Sequence, residues 1–501
     1  MRIDIIDSYE TLLRLKANWD HVYDQDPEAN FFLSWTWLSE WLRDDTSQWY
    51  VLAAALDSES TYVAFFPLRL RTRMRPRGGF YNIIGLAGRG LSDYTGVITI
   101  PAFEAEAIDA FSRYLKKSSW SVLSLEFVRT TPSRLQRLLR HFPPKSFGMT
   151  ETQTMNARDS IDNSICPLVE LPDSWDDYLA TLGSNTRRNL RRFLRKVEED
   201  DEFRITTANA DTIDADLDHM LRLWSVKWTG RKGDRVPRLV RANRRMFKTC
   251  FAHDALFVPI LWQGERPLAA LATFIDHKKR TLLCFMTARD ETFQGMPSPA
   301  IVLHAYSVRH AIANGFRTYD FTRGNEDYKY CFGVHEVILT NLAIGRRSQK
   351  PGAEKLDARC IPKVLGKTME LHSNGKIEAA VLGYRQVLAV SPQSPAALYG
   401  YGQLLAKQGA HREAARLFRK LVALQPDAYK AWLRLGAALE ATQRFAEAAD
   451  IYRNLIQRDP NDKKVRIRLG RMLLALGKRE EAYFMLEAAG APQRPNALRL
   501  N

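Results

Sequence analysis

Gly402, Gly436 and Gly470 stand 34 residues apart, and Ala380, Ala414, Ala448 and Ala482 keep the same interval. Pro392, Pro426 and Pro460 follow it too, while Tyr384, Phe418 and Tyr452 put one aromatic at an equivalent place in each unit. A fixed period of this length restricts the C-terminal part of the chain to short units that stack in a row, because one such unit cannot bury its apolar face alone. Each residue type has a physical task in that arrangement. Small residues let two antiparallel helices approach closely, the aromatic fills the space between neighbouring pairs, and proline closes each second helix.

The period and its residues resemble the tetratricopeptide repeat, about three and a half units of which fit between residues 366 and 490. The resemblance implies an all-α solenoid whose curved face docks a protein partner. Residues 491–501 are left as a tail. The segment 346–365 is polar and basic and is interrupted by Pro351, Gly352 and Pro362, which reads as a linker.

A chain of 501 residues predicts about three domains, so the first 345 residues hold more than one core. Lysine and arginine total 73 against 57 acidic residues, a formal charge of +16 that favours phosphates, nucleic acid, acidic sugars or a lipid surface as partners. The five cysteines (Cys166, Cys250, Cys284, Cys331 and Cys360) are scattered without a CxxC pair, which excludes a disulfide scaffold or zinc module, and no metal is expected. Asp4, Asp7 and Glu10 interrupt the N-terminus where a signal peptide needs an apolar run. No 18-residue apolar stretch follows, so a cytoplasmic protein without a transmembrane segment is expected.

The first 345 residues read as mixed α/β. From Ala255, the runs ALFVPILWQ, PLAALATFI and RTLLCFMTA are joined by tight turns and predict a three-stranded antiparallel meander. A helix over 299–314 follows, with Ser298 as N-cap, Pro299 in the first turn and Gly315 after the last. FRTYDF and VHEVILTNLAI each predict one further strand. The N-terminal part repeats this grammar with YVLAAAL, YVAFFPLRLRTRMR, a Gly-Gly turn, a helix near 103–117 and VLSLEFV. Two related halves, 1–160 and 161–345, are therefore expected. Helices are predicted over DSWDDYLATLG, SNTRRNLRRFLRKVEED and 211–228.

Two stretches carry candidate chemistry. Residues 289–300 (RDETFQGMPSPA) lead from a strand into a helix, where backbone N–H groups and the helix dipole hold phosphate. Arg289 would supply charge, Gln294 and Gly295 an approachable backbone, and Ser298 the cap; the same residues also suit an ordinary strand-to-helix loop. DFTRGNEDYKY, residues 320–330, is denser in reactive groups than any other stretch. Asp320 ends a buried strand, and Gly324 permits the turn that brings back Tyr328 and Lys329. Asp320 or Glu326 would take a proton from an attacking amine or hydroxyl and Tyr328 would return one; a loop pinned by an Asp–Lys pair is the structural alternative.

Basic arrays bear on the partner. On TRRNLRRFLRK, Arg187, Arg191 and Arg195 form one row and Arg188, Arg192 and Lys196 the next, while Leu190, Phe193, Leu194 and Val197 face the core. Arg69, Arg71, Arg73 and Arg75 fall on one strand face. Arg187, Arg188 and Arg191 are candidate substrate-binding residues, and a solvated basic face is the alternative. No pattern of basic residues interleaved with stacking aromatics occurs, so nucleic acid is not expected as a partner. His304, His310 and Cys331 read as ordinary helical or buried side chains.

The meander, SPAIVLHAYSVRHAIANG and DFTRGNEDYKYCFG together are similar to the CelD-like or BioF2-like acetyltransferases of the GNAT superfamily, associated with cellulose and exopolysaccharide loci. FFLSWTWLSEWL at 31–42, SDYTG at 92–96 and SNTRRNLRR at 184–192 extend the resemblance over most of residues 1–345. It implies tandem GNAT-like halves with mixed sheets, and acetyl-CoA or another acyl-CoA as donor with its pyrophosphate at the loop before the 299–314 helix. The acceptor would be an amine or hydroxyl of a sugar or glycan precursor. QGMPSPA departs from the family's Q/R-x-x-G-x-G/A loop, Pro297 and Pro299 removing two N–H donors. The tandem architecture also resembles the Fem-type ligases, which implies aminoacyl transfer from tRNA as an alternative; a non-catalytic scaffold carrying the repeats is a third reading.

Overall fold

The structure, a computed structural model, describes residues 1–43, 48–57, 61–295, 298–347 and 354–491. In chain order the strands are β1 (Arg2–Ile6), β2 (Gln48–Ala55), β3 (Tyr62–Met74), β4 (Phe80–Leu86), β5 (Ile98–Thr99), β6 (Val122–Val128) and β7 (Phe147–Glu151). After the short pair β8 (Met155–Asn156) and β9 (Ile161–Asp162) come β10 (Ile165–Glu170), β11 (Phe203–Thr207), β12 (Leu256–Phe257), β13 (Pro259–Gln263) and β14 (Arg266–Asp276). β15 (Thr281–Arg289), β16 (Thr318–Asp320), β17 (His335–Ile338) and β18 (Thr340–Arg346) complete the set. They form two eight-stranded sheets: β1-β2-β3-β4-β6-β18-β7 with β5 on β3, and β11-β13-β14-β15-β16-β10-β17 with β12 on β14.

The expected meander is β13-β14-β15, antiparallel throughout, and β16 then joins β15 in parallel after the helix Pro299–Ala313. That helix ends where Gly315 takes φ +72°. VHEVILTNLAI is two strands instead of one. β17 pairs with β10 in the second sheet, and one residue later β18 pairs with β6 and β7 in the first. The chain thus returns to the first sheet at 340–346, inside the segment expected to belong wholly to a 161–345 half. An apolar run reports burial and extended backbone but not which sheet completes it.

Contacts cluster into two compact units, one of Met1–Arg71, Ile84–Ser118 and Val122–Arg347, the other of Thr72–Ile83, Ser119–Ser121 and Ser348–Asn501. In the first unit FFLSWTWLSEWL inserts its rings against the second sheet. Phe31 stacks on Phe274 with centroids 4.7 Å apart, and Trp37 meets the same ring edge-on at 4.9 Å. Both sheets therefore contribute to one core, which also takes in Leu217, Met220 and Phe247 from the helices Ile213–Lys232 and Val236–Ala252. The opposite face of the second sheet is covered by Pro299–Ala313, Ser184–Glu199 and Trp175–Thr181. Leu190, Leu194 and Val197 of the basic helix are buried there and Phe193 packs beside them, as the spacing predicts.

The second unit holds four antiparallel helix pairs: Ile361–Ser373 with Ile377–Val390, Pro395–Lys407 with His411–Leu424, Tyr429–Ala441 with Phe445–Arg458, and Lys463–Ala475 with Arg479–Glu487. The first pair begins inside the expected linker, because Pro362 sits in a first helical turn where its missing N–H costs nothing. Residues 348–353, including Pro351 and Gly352, and 492–501 of the expected tail lie outside the described residues. A Cβ on Gly402 would lie 2.8 Å from the Phe418 ring and one on Gly436 2.6 Å from Tyr452, so these aromatics fill the glycine notch of their own pair. Tyr384 does bridge neighbouring pairs, against Gly400. The basic strand array is not a single surface: Arg75 donates to Glu354 within this unit (Nε–Oε1 2.9 Å), and Arg69 lies over the Trp41 ring at 5.9 Å.

Gly436→Val drives its side chain into Tyr452, and overpacking of this kind costs about 1–3 kcal/mol. We expect a lower helical melting midpoint by circular dichroism for the Gly436→Val chain, with a smaller loss for Gly436→Ala.

Candidate active site

β15 and β16 pair in parallel at three rungs, Thr281–Thr318, Leu282–Tyr319 and Leu283–Asp320, and then part. β16 stops at Asp320, whereas β15 runs on for six residues to Arg289 and feeds the loop before the helix Pro299–Ala313. A fork in a sheet, opening at the C-terminal ends of parallel strands, is where open α/β sheets bind ligands. The fork is braced at its root. Thr322, held at φ +55°, donates from Oγ1 to the Cys284 carbonyl (3.0 Å), replacing the ladder bond lost as the strands part. A bulge in β15 opposite Ala272 and Thr273 further breaks the register on its other edge.

Asp320 is fully buried, and both oxygens of its carboxylate are hydrogen-bonded. Oδ1 accepts from the Tyr94 hydroxyl (2.7 Å) and the Thr322 N–H (2.7 Å), and Oδ2 accepts from Arg129 Nη1 (2.8 Å). Burial works against the Arg129 charge but is outweighed by Asp320, so its pKa rises; burial and then Asp320 push the Tyr94 phenol well up. These bonds hold Asp320, the expected general base, in place and favour its charged form, and Oδ2 keeps a lone pair beside its bond to Arg129.

The partners of this loop come from the N-terminal motifs. Asp93 accepts from Arg323 Nε (2.7 Å), Arg323 lies 3.9 Å over the Phe127 ring, and Ser92 Oγ accepts from Trp37 Nε1 (2.7 Å). SDYTG, DFTRG and FFLSWTWLSEWL therefore meet at one place. Arg129 had no sequence signal, since it lies in the loop after β6 and belongs to no motif.

Lys329 is buried and its ammonium donates to the carbonyls of Arg323 (3.0 Å) and Gly324 (2.8 Å) and pairs with Glu326 (2.8 Å). Lys329, expected among the catalytic residues, thus has its ammonium committed to pinning the loop, and its carboxylate partner is Glu326, not Asp320. Gly324 makes the turn at φ +103°. Tyr328 is half-buried, hydrogen-bonds Thr287 on the free part of β15, and faces the His304 ring at 5.4 Å. Burial, then the Cys284 thiol and Glu326, push its phenol far up, so it stays protonated at neutral pH. His304 is buried and neutral, its pKa pulled down to about 3 by burial and then Lys329, and it bonds the Tyr319 hydroxyl through Nδ1 (3.0 Å). Cys331 donates to the Tyr328 carbonyl, and burial pushes its thiol up to about 11, so it is no nucleophile at neutral pH.

At the far end of β15, Gln294 and Gly295 are exposed. Ser298 occupies the N-cap position, but its side chain makes no capping bond, unlike the cap expected of it. Its hydroxyl and the first-turn N–H groups of Ala300 and Ile301 are available to an oxyanion. Arg289 pairs with Glu291 (2.9 Å) on the surface, an exchangeable contact worth about 0.2–1 kcal/mol. Met296 and Pro297 lie outside the described residues. Among the described residues, Arg187, Arg188 and Arg191 do not line the cavity beside this loop. Arg191 pairs with Asp176 (2.8 Å) and Arg188 bonds Asn185, whereas Lys196, about 14 Å further along the helix from Arg187, lines a 260 Å³ cavity with Phe293, Gly295 and Pro299. Among the described residues no group of three or more His, Cys, Asp or Glu is placed to hold a metal ion, and no helix is long and apolar enough to cross a membrane.

Removing the charge of Asp320 strands Arg129 in a largely buried site. Asp320→Asn is expected to lower the unfolding free energy by about 3 kcal/mol, measured by urea denaturation at pH 7.

The model of an acetyltransferase (GNAT) domain matches residues 184–330, and tetratricopeptide repeat models match 370–423, 407–463 and 439–499. No protein of curated function matches the chain in sequence. Among solved structures, the crystal structure of FemX is similar at 10% identity over 69% of this chain and 97% of its own, with a TM-score of 0.48. MamA from Desulfovibrio magneticus RS-1 is similar at 21% identity over 26% of this chain and 73% of its own, with a TM-score of 0.25. The matched segment 184–330 contains the fork, the loop and the helix Pro299–Ala313, and the chain therefore carries a GNAT-type acetyltransferase domain followed by tetratricopeptide repeats.

Proposed function

We propose that the chain is an acyltransferase that takes an acyl group, acetyl first among them, from acyl-CoA to an amine or hydroxyl of a sugar or glycan precursor. The observation that carries this reading is the fork beyond Leu283–Asp320, with β15 leading from it to an N-terminal helical turn whose cap residue, among the described residues, makes no side-chain cap bond. Gly295, Ser298, Ala300 and Ile301 would hold the diphosphate, with Gln294 and Arg289 at its edge. Acyl-CoA supplies an activated thioester carbonyl. Burial moves the Tyr328 phenol away from neutrality, so it is no efficient proton donor, but it keeps its O–H beside Thr287 and would donate a hydrogen bond to the charge that develops on the thioester. The acceptor class follows from the motifs similar to exopolysaccharide-associated acetyltransferases, and the repeats serve to dock a protein partner.

Isothermal titration of the full chain with acetyl-CoA is expected to give saturable heat at micromolar concentration. Tyr328→Phe should leave that binding within about twofold and lower kcat about 10²-fold, the size of one lost hydrogen bond to developing charge. Silence with acetyl-CoA and longer acyl-CoA donors would overturn the reading, and salt-sensitive tRNA binding in its place would favour aminoacyl transfer.

A further inference from the structure

A second cavity, of about 220 Å³, opens within the first unit between Pro27–Phe31, the loop Arg129–Thr131, the turn at Asp276–Lys279 and the start of β15. Its size is below the roughly 300–1,000 Å³ of pockets for drug-sized ligands, so it suits one sugar ring or one amino acid. Its acidic groups are already engaged. Glu28 accepts from Thr130 Oγ1 (2.7 Å), Thr131 Oγ1 (2.7 Å) and the Thr131 N–H (2.8 Å), and Asp276 accepts from the Tyr23 hydroxyl and the Lys279 N–H (3.1 Å).

Its donors are engaged only in part. Asn30 is 6% exposed; Oδ1 caps the Phe32 N–H (3.1 Å), while Nδ2 has no partner among the described residues. Leaving a buried amide N–H₂ unpaired costs about 1–3 kcal/mol, which a ligand oxygen would recover. The Arg129 guanidinium makes one hydrogen bond among the described residues, from Nη1 to Asp320, and lies 4.9 Å over the Tyr94 ring, so part of its fork is left for a ligand. The Lys279 ammonium lies alongside, donating to the carbonyls of Asp26 (2.8 Å) and Asp24 (3.2 Å) with one N–H to spare. Spare N–H groups on one amide and two partly engaged cations, beside satisfied carboxylates, select a ligand that brings its own anionic acceptor oxygens.

We propose that this cavity binds a small carboxylate, that of a sugar acid or an amino acid, with Asn30 Nδ2 and Arg129 as its donors. Leu283 lines the cavity and is also the last β15 residue paired before the fork, so the bound molecule has its inner end at the root of the fork. On the acyl-transfer reading, from which this step follows, the carboxylate belongs to the acceptor.

The test uses the full chain with D-glucuronate, L-alanine and methyl β-D-glucoside as probes, followed by saturation-transfer NMR and titration. Asn30→Asp keeps the oxygen that caps Phe32 and replaces the donor by an anionic acceptor. One of the two carboxylates is expected to bind saturably, the one that does identifying the source, and Asn30→Asp should weaken it at least tenfold with the melting temperature preserved. If Asn30→Asp fails to fold, Lys279→Gln should weaken the same probe several-fold. Absence of binding by both carboxylates, equal binding of the neutral glucoside, or unchanged affinity in the folded variant would overturn the proposal. Acetyl-CoA binding measured on the same samples separates the two readings: its persistence without carboxylate binding removes only the acceptor site, and its absence beside carboxylate binding removes only acyl transfer.

Discussion

One buried carboxylate ties the second sheet to loops of the first within the first unit. Asp320 ends the short strand β16 and is bound by Tyr94 and Arg129 from the first sheet's loops and by the Thr322 N–H from its own turn. A buried ion pair gives little net stability compared with apolar packing, since desolvation offsets most of the Coulombic gain, but losing one partner is costly. Its consequence here is geometric. The bonds fix where β16 stops, force Thr322 into a left-handed conformation, and so determine where the parallel pair opens.

The same place is crossed by two further contacts, Asp93–Arg323 and Trp37–Ser92, so the fork is supported by side chains distant in sequence. Strained backbone persists only where its surroundings over-determine it. Phe127 at φ +58° and Thr322 at φ +55° are two such positions, and Arg323 lies against the Phe127 ring. Beyond this frame β15 runs on without β16, and Thr287 there meets Tyr328 and the His304 ring.

Much of this was legible in the sequence because local physics dictates it. The 34-residue period, the meander and the Ser-Pro start of the helix Pro299–Ala313 all follow from spacing and capping chemistry. The site was legible only as a neighbourhood. DFTRGNEDYKY does lie at the end of β16, but how its carboxylate is held depends on Tyr94 and Arg129, which lie 226 and 191 residues away and which no local pattern names. Lys329 turned inward for the same kind of reason: its partners are carbonyls that only the folded turn presents. The division of VHEVILTNLAI between two sheets has no local signature, since both halves are extended and partly buried.

A crystal structure of the full chain with CoA bears most directly on the fork as the place of chemistry. The expected result is the CoA sulfur between β15 and the end of β16, beside Thr287 and Tyr328, with the diphosphate on the first turn of Pro299–Ala313. A diphosphate bound elsewhere, or a fork closed by its own side chains with CoA present at saturating concentration, would contradict it.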